Sequence, residues 1–302
     1  MRTLKTLIAY TAAVLLLAGC NLQKEVDLDL PEYEPKIVVE SYLQPGQPYF
    51  LFLTESAGYF DGIQVKYLRD AVVTIKHGSE SVTLQPIEIS IADAAGILDT
   101  ALLNILKPVI GETVYIYGSL FQTVPEVYNE DFTLNIELPD GRKVSAVTRL
   151  LTPVKVDKID WKFNADSLAY TLTQITDPQG VANYYRRVFE LRRREIRENP
   201  DGTLDTVLYT NVEQDFYTND DIVGSDGLIL YGTNYDYRVG DTLTATLYHI
   251  TRDYYRFLET RDAAIIANLS PFGTPAVVYT NIVGGTGVFA GLSQDKLSVV
   301  VK

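Results

Sequence analysis

Six arginines crowd one stretch of the chain: Arg186, Arg187, Arg192, Arg193, Arg194 and Arg197. A guanidinium presents parallel N–H donors that match a carboxylate or a phosphate, so such a run suits an acidic partner or lipid phosphates. In a strand, alternate residues share a face. Arg187, Arg193 and Arg197 then point one way, and Arg186, Arg192 and Arg194 the other. Charge on both faces keeps the distal part out of a core and makes it a projecting ribbon, with Arg192, Arg193, Arg194 and Arg197 as candidate contacts. The plainer reading is a solvated hairpin whose arginines pair with Glu190, Glu195 and Glu198. The second candidate is Tyr231-Gly232-Thr233-Asn234-Tyr235-Asp236-Tyr237. Tyrosine faces stack on sugars or peptides while hydroxyls and amides hydrogen-bond, which makes Tyr231, Tyr235 and Tyr237 candidate ligand or partner contacts. Against that, tyrosines on strands usually pack into a sandwich.

Patterns for catalysis are sparse. The chain has two histidines, His77 and His249, and neither stands beside a nucleophile motif. Gly285-Thr286-Gly287 lacks the strand–loop–helix setting of a dinucleotide loop, and Gly224-Ser225-Asp226-Gly227 lacks that of a nucleophile elbow. Asn219-Asp220-Asp221 with Asp226 offers oxygen ligands, but without the spacing of a calcium motif. One cysteine rules out a disulfide framework and a Cys-based metal cluster. No cofactor and no metal are expected, and the chain is read as not an enzyme. A net charge of −13 argues against a nucleic-acid partner.

That one cysteine lies where it carries most meaning. Arg2 and Lys5 precede an apolar stretch from Leu7 to Ala18, too short to span a bilayer but suited to a signal peptide. The stretch ends in Leu17-Ala18-Gly19-Cys20, which looks like a bacterial lipobox. Residues 1–19 are therefore expected to be a lipoprotein signal peptide and Cys20 the lipidated residue. Loss of Arg2 and Lys5 leaves 24 basic against 39 acidic residues, a charge of −15. Residues 20–35 read as an acidic tether, with Glu25, Asp27, Asp29, Glu32 and Glu34.

The elements beyond are mostly strands. His77-Gly78-Ser79-Glu80, Pro139-Asp140-Gly141 and Asn199-Pro200-Asp201-Gly202 are turn sequences between alternating runs. Short strands at this spacing predict a mainly β chain. An N-terminal immunoglobulin-like β-sandwich over 36–152 is followed, past Pro153, by a second antiparallel β-rich domain over 153–302. Val181 to Arg193 is expected as one long strand, and Val277 to Thr280 as a closing one. Near 251–269 the period changes to that of one helix, through Tyr254, Phe257, Leu258, Ile265, Ile266 and Leu269. Ile91 to Ile110 is apolar, broken by Gly96 and Pro108, and reads as core or, if exposed, as a docking patch.

Four collinear blocks carry a resemblance: Lys36–Phe60, Asp140–Ile159, Val181–Leu191 and Thr274–Ser293, the last holding Asn281-Ile282-Val283-Gly284-Gly285 and Gly287-Val288-Phe289. Together they resemble the Bacteroidota outer-membrane lipoprotein family catalogued as domain of unknown function 4249, over nearly the whole chain beyond the lipobox. Ile91 to Lys107 departs from the family pattern. The acidic run after Cys20 is similar to that phylum's surface-export signals, and Asp99-Thr100-Ala101, Asp166-Ser167-Leu168, Asp205-Thr206-Val207 and Asp241-Thr242-Leu243 to its O-glycosylation pattern. The resemblance implies an outer-membrane lipoprotein, lipid-anchored and facing the cell exterior. It further implies a non-enzymatic accessory, for substrate capture or as a lid, of a TonB-dependent transporter. The alternatives are a scaffold subunit of an outer-membrane assembly or adhesion complex, and a surface glycan or peptide hydrolase.

Overall fold

Alternation of apolar and polar residues becomes strands throughout a computed structural model, which describes residues 33–58, 65–90, 113–213, 216–222, 227–268 and 276–302. Cys20, residues 20–32 of the tether, Ile91–Ile110, Asp99-Thr100-Ala101 and Gly224-Ser225-Asp226 lie outside the described residues. The chain is mainly β, as expected, with several antiparallel sheets and one helix among the described residues.

The first eight strands are β1 (Ile37–Leu43), β2 (Pro48–Glu55), β3 (Lys66–Tyr67), β4 (Val72–His77), β5 (Glu80–Ser90), β6 (Thr113–Thr123), β7 (Asp131–Glu137) and β8 (Lys143–Arg149). They form a sheet in the order β1-β2-β6-β5-β4-β7-β8, with β3 beside β2. In β1, β7 and β8 alternate residues are buried, so one face covers the core. β2 differs, because Tyr49, Leu51 and Leu53 enter that core while Phe50 and Phe52 pack on the opposite face with Val114 and Ile116. The turns are where the glycines predict them, since Gly78 and Gly141 hold φ +54° and +90°.

The next strands are β9 (Val156–Phe163), β10 (Ala169–Thr176), β11 (Tyr184–Glu198), β12 (Leu204–Val212), β13 (Phe216–Asn219), β14 (Leu228–Gly232) and β15 (Thr242–Ile250). Two follow the helix, β16 (Thr286–Gly291) and β17 (Ser293–Val300). A three-stranded sheet β14-β10-β9 packs on a five-stranded sheet β12-β11-β15-β17, with β13 alongside β11. Tyr185, Phe189, Leu191, Leu243, Ala245 and Leu247 on one sheet meet Val156, Ile159, Ala169, Ile175 and Ile229 on the other. The stretch after Pro153, read as a crossing, is largely the strand β9. Val277 to Thr280 is not a strand; Val278 and Tyr279 instead pack against the helix.

The helix α1 (Arg252–Asn268) begins at Thr251, whose Oγ1 accepts the Tyr254 amide at 3.4 Å. Its Tyr254, Phe257 and Leu258 are buried against Ile250, Val288, Ala290 and Leu292. Ile265 and Ile266, expected on the same buried stripe, are exposed.

The chain then returns to its start. β16 pairs with β1 in parallel, Val38 beside Thr286 through Leu43 beside Gly291. It also lies against β8, where Ser145 and Val283 exchange backbone hydrogen bonds of 3.0 and 2.8 Å. This close fit explains the glycines of the closing block. Gly287 holds φ +105°, and a Cβ there would sit 2.0 Å from the Val39 carbonyl oxygen. A Cβ on Gly291 would lie 2.3 Å from the Arg149 carbonyl. Asn281 secures the segment by accepting the Phe289 amide at 3.0 Å and donating to the Phe289 carbonyl at 2.8 Å.

Two predictions follow from this packing. Gly287→Ala combines backbone strain with a clash against Val39, and is expected to cost at least ~2 kcal/mol, read as a lower denaturant midpoint. The second concerns Glu40 on β1, half-buried, whose carboxyl is pushed up to about 7 by burial against the opposing pull of Arg261. A carboxyl raised on folding binds its proton better in the native state, so its stabilising share is complete below the usual carboxylate range and is lost as pH rises towards 7. Glu40→Gln is therefore expected to gain stability over the native chain as pH goes from 5 to 8, by up to about 3 kcal/mol. Paired unfolding curves at those two pH values check it; a pH-independent difference would refute the assignment.

Candidate functional site

The six arginines of β11 divide as the alternation predicts, but the proximal two are buried and only the distal part projects. Arg186 faces α1 and donates to the Tyr254 hydroxyl at 3.2 Å. Arg187 points into the sandwich, its guanidinium carbon 5.4 Å from the ring centres of Phe189 and Tyr231 and 5.9 Å from that of Phe216. Arg192 pairs with Glu190 at 2.5 Å in solvent, while Arg194 and Arg197 are exposed beyond the end of β15.

Arg193 is neither buried nor free. It grips Asp241 through two bonds, Nε to Oδ1 at 2.8 Å and Nη2 to Oδ2 at 2.6 Å, and donates to the Asp236 carbonyl at 2.8 Å. The Asp241 side chain is buried and also accepts the Arg238 amide at 2.7 Å. Arg193 thus pins the 233–238 segment to the strand, and the bond to Asp241 raises its pKa further.

The tyrosine run folds into that segment. Tyr231 and Tyr237 are 4 % and 1 % exposed and belong to the core, whereas Tyr235 is 45 % exposed and meets Tyr170 edge-on at 4.9 Å. Tyr237 donates to Glu213, whose other oxygen lies 3.8 Å from Arg187. Thr233 is tied to Thr171 by the Thr171 amide to its Oγ1 at 2.9 Å.

Between this segment and the ribbon opens a cleft of about 660 Å³. Leu168 and Leu191 form its apolar part; Arg193, Glu213 and Tyr237 belong to its floor; Tyr209, Asn211, Asn234, Asp236 and Arg238 supply polar walls. The floor charges are already paired, so the groups left for a ligand are a tyrosine face, amides, a hydroxyl, and the exposed carboxylate of Asp236 and guanidinium of Arg238. That combination, with one charge of each sign among neutral donors and acceptors, suits a polar, hydroxyl- or amide-bearing molecule of no net charge. Tyr209, Asn211 and Asn234 carried no sequence signal of their own. Tyr209 and Asn211 become a wall only through the pairing of β12 with β11, whereas Asn234 comes from the tyrosine run itself.

Behind the floor lies an under-satisfied polar interior. Arg187 Nε and Nη1, the Tyr231 hydroxyl and Thr173 Oγ1 are buried without hydrogen-bond partners. Burial pushes the Arg187 pKa down, against the pull of Glu213, and pushes that of Tyr231 up.

The remaining sequence candidates have local roles. His77 meets Glu130 at 2.9 Å and stacks on Phe132. His249 is buried between the Thr152 carbonyl at 2.7 Å and Asn183 Oδ1 at 3.1 Å, and burial lowers its pKa. Asp220 accepts the Asn183 amide at 2.8 Å, and Asn219 donates to Asp221 at 2.6 Å. Among the described residues no group of three or more His, Cys, Asp or Glu side chains is placed to hold a metal ion. Of the glycosylation patterns, Ser167 and Thr206 are exposed and Thr242 is half-buried. Among the described residues no helix is long and apolar enough to cross a membrane.

Fold and site together define a β-sandwich protein with a polar cleft at one sheet edge. The chain belongs to the family described as domain of unknown function (DUF4249), which it matches over residues 23–298. No curated protein matches it. Among solved structures it is similar to the FN1-FN3 domains of chicken CNTN1, at 8% identity and a TM-score of 0.26, covering 88% of this chain and 67% of that one. It is also similar to a DUF4785 family protein from Legionella pneumophila, at 10% identity and 0.23, covering 70% and 52%.

The two inward arginines should respond oppositely to loss of charge. Asp241→Ala strands Arg193 and is expected to cost about 3–5 kcal/mol. Arg187→Met together with Glu213→Gln removes the under-satisfied buried pair as a whole and is expected to be neutral or stabilising by about 1–4 kcal/mol. Chemical denaturation of both variants checks the contrast.

Proposed function

We propose that this chain is a non-enzymatic accessory lipoprotein of a TonB-dependent transporter, held in the outer membrane by acyl chains on Cys20 and facing the cell exterior. It captures or covers the transporter's substrate. The observation that supports this reading is the cleft, whose floor charges are spent on one another while its amides, hydroxyl, aromatic face and the opposite charges of Asp236 and Arg238 stay open. Such a surface binds and releases a polar solute. The cargo class follows from the same groups: a polar molecule of no net charge, rich in hydroxyls or amides. Two or more acyl chains give stable anchoring where one is marginal.

The test is a gentle-detergent pull-down of the tagged lipoprotein from its native outer membrane, with co-purifying proteins identified by mass spectrometry. A stoichiometric TonB-dependent transporter is expected. Recovery with assembly machinery instead would favour a scaffold subunit, and recovery alone would sink the docking reading. In the same preparation, Asn211→Ala with Asn234→Ala is expected to weaken retention of small-molecule cargo at least tenfold and leave transporter recovery unchanged.

A further inference from the structure

β12 is the outermost strand of its sheet, and all nine of its residues are exposed. A strand of this length presents an edge of roughly 30 Å. The register shows which backbone groups look outward. Asn199 donates to the Thr203 carbonyl at 2.8 Å and Glu213 to the Phe189 carbonyl at 2.9 Å. Both bonds lie in the register that sets Glu190 beside Val212 and Glu198 beside Leu204. Bonded and non-bonded pairs alternate in an antiparallel ladder, so the odd-numbered residues of β12 bond to β11. The N–H and C=O groups of Leu204, Thr206, Leu208, Thr210 and Val212 therefore point away from the sheet.

Exposed edges are normally defended by lysine, proline, a bulge or a short strand. Here the register runs unbroken from Leu204 to Val212, and the strand carries one charge, Asp205, and no proline, glycine or lysine. Its chemistry also reads alike in both directions about Leu208. Val207 mirrors Tyr209, Thr206 mirrors Thr210, Asp205 mirrors Asn211, and Leu204 mirrors Val212.

We propose that this edge pairs with β12 of a second copy of the chain, antiparallel, on a two-fold axis at Leu208. Leu208 then lies beside its own counterpart, Thr206 beside the copy's Thr210, and Leu204 beside the copy's Val212. The outward backbone groups are those that such a register bonds, giving about ten N–H···O bonds. Asp205 meets an Asn211 amide, and no like charges are opposed. Leu204, Leu208 and Val212, which are 67 %, 60 % and 53 % exposed, join their counterparts in one apolar stripe across both copies. Moving the axis to Val207 would set Leu208 against Thr206 and leave Val212 beyond the partner strand. The proposal is independent of the accessory reading.

Leu208→Cys in the full-length protein, in its native membrane, tests it. Opposed residues of a bonded pair have Cα atoms about 5.5 Å apart, within disulfide range. A reducible species of twice the mass is expected under mild oxidation, absent from the native chain and from Asp201→Cys at the ribbon tip. Adding Thr210→Pro removes an outward N–H without touching the bonds to β11, and is expected to cut the linked species at least tenfold. Linked protein no more abundant than in the native chain overturns the proposal, as does linkage unaffected by Thr210→Pro. Loss of a co-purifying foreign protein on Thr210→Pro, without linkage at position 208, also overturns it and assigns the edge to a strand of that protein.

Discussion

Strand β16 lies against Val39 and Arg149 with no room for one extra carbon atom on Gly287 or Gly291. Everything between β1 and β16 depends on this contact. A parallel pair needs a crossover, and here the crossover includes the rest of the first sheet, all of the second sandwich except β17, and α1. The residues after it extend the closure, since Ser293–Val300 pairs with β15. One short, glycine-bearing strand thus joins the first sheet to α1 through Val288 and Ala290 and leads directly into the second. This is why Pro35–Lys302 forms a single compact unit although its two cores are separate clusters.

The second sandwich shows the opposite economy. A core at this depth would normally exclude arginine, yet Arg187 sits among aromatic rings with two nitrogens unpaired. Rings 5–6 Å from a guanidinium recover part of the desolvation cost, and Glu213 at 3.8 Å a further part. Tyr237 completes a path from this buried charge to the cleft, because its hydroxyl meets Glu213 and its backbone closes on Ala169. The cleft floor is therefore held by electrostatics within the sandwich rather than by apolar packing alone.

Local signals in the sequence were legible and distant ones were not. Turn residues placed the hairpins at Gly78, Gly141 and Gly202, because positive φ is a property of single residues. The change of period placed α1 to within a residue at each end. The arginine alternation sorted the two faces of β11 but could not tell depth. Whether an inward arginine meets solvent or a core depends on where β15 stops, and β15 lies some fifty residues away. Tyr231 and Tyr237 misled for a related reason: glycine and asparagine beside them suggest a loop, yet Tyr231 lies on β14 beside Thr173, and the loop that carries Tyr237 is pinned inward by Asp241 and Thr171. The parallel pairing of β16 had no local mark except its glycines, whose need for close approach becomes visible only beside Val39.

An undefended edge calls for closure. Pairing across a two-fold axis consumes the edge completely, because each strand has one free side and the operation returns to its start. A head-to-tail pairing on the same groups would leave a further edge and propagate. Anchoring would strengthen the closed arrangement, since two chains confined to one membrane meet at a high effective concentration. A strand pair too weak to persist in dilute solution would then suffice, and would leave the cleft beside each Tyr209 facing the same side as its partner's. The near-palindrome of Leu204 to Val212 is the sequence pattern that such a closed pair requires, and one that a strand built only to join its own hairpin does not need.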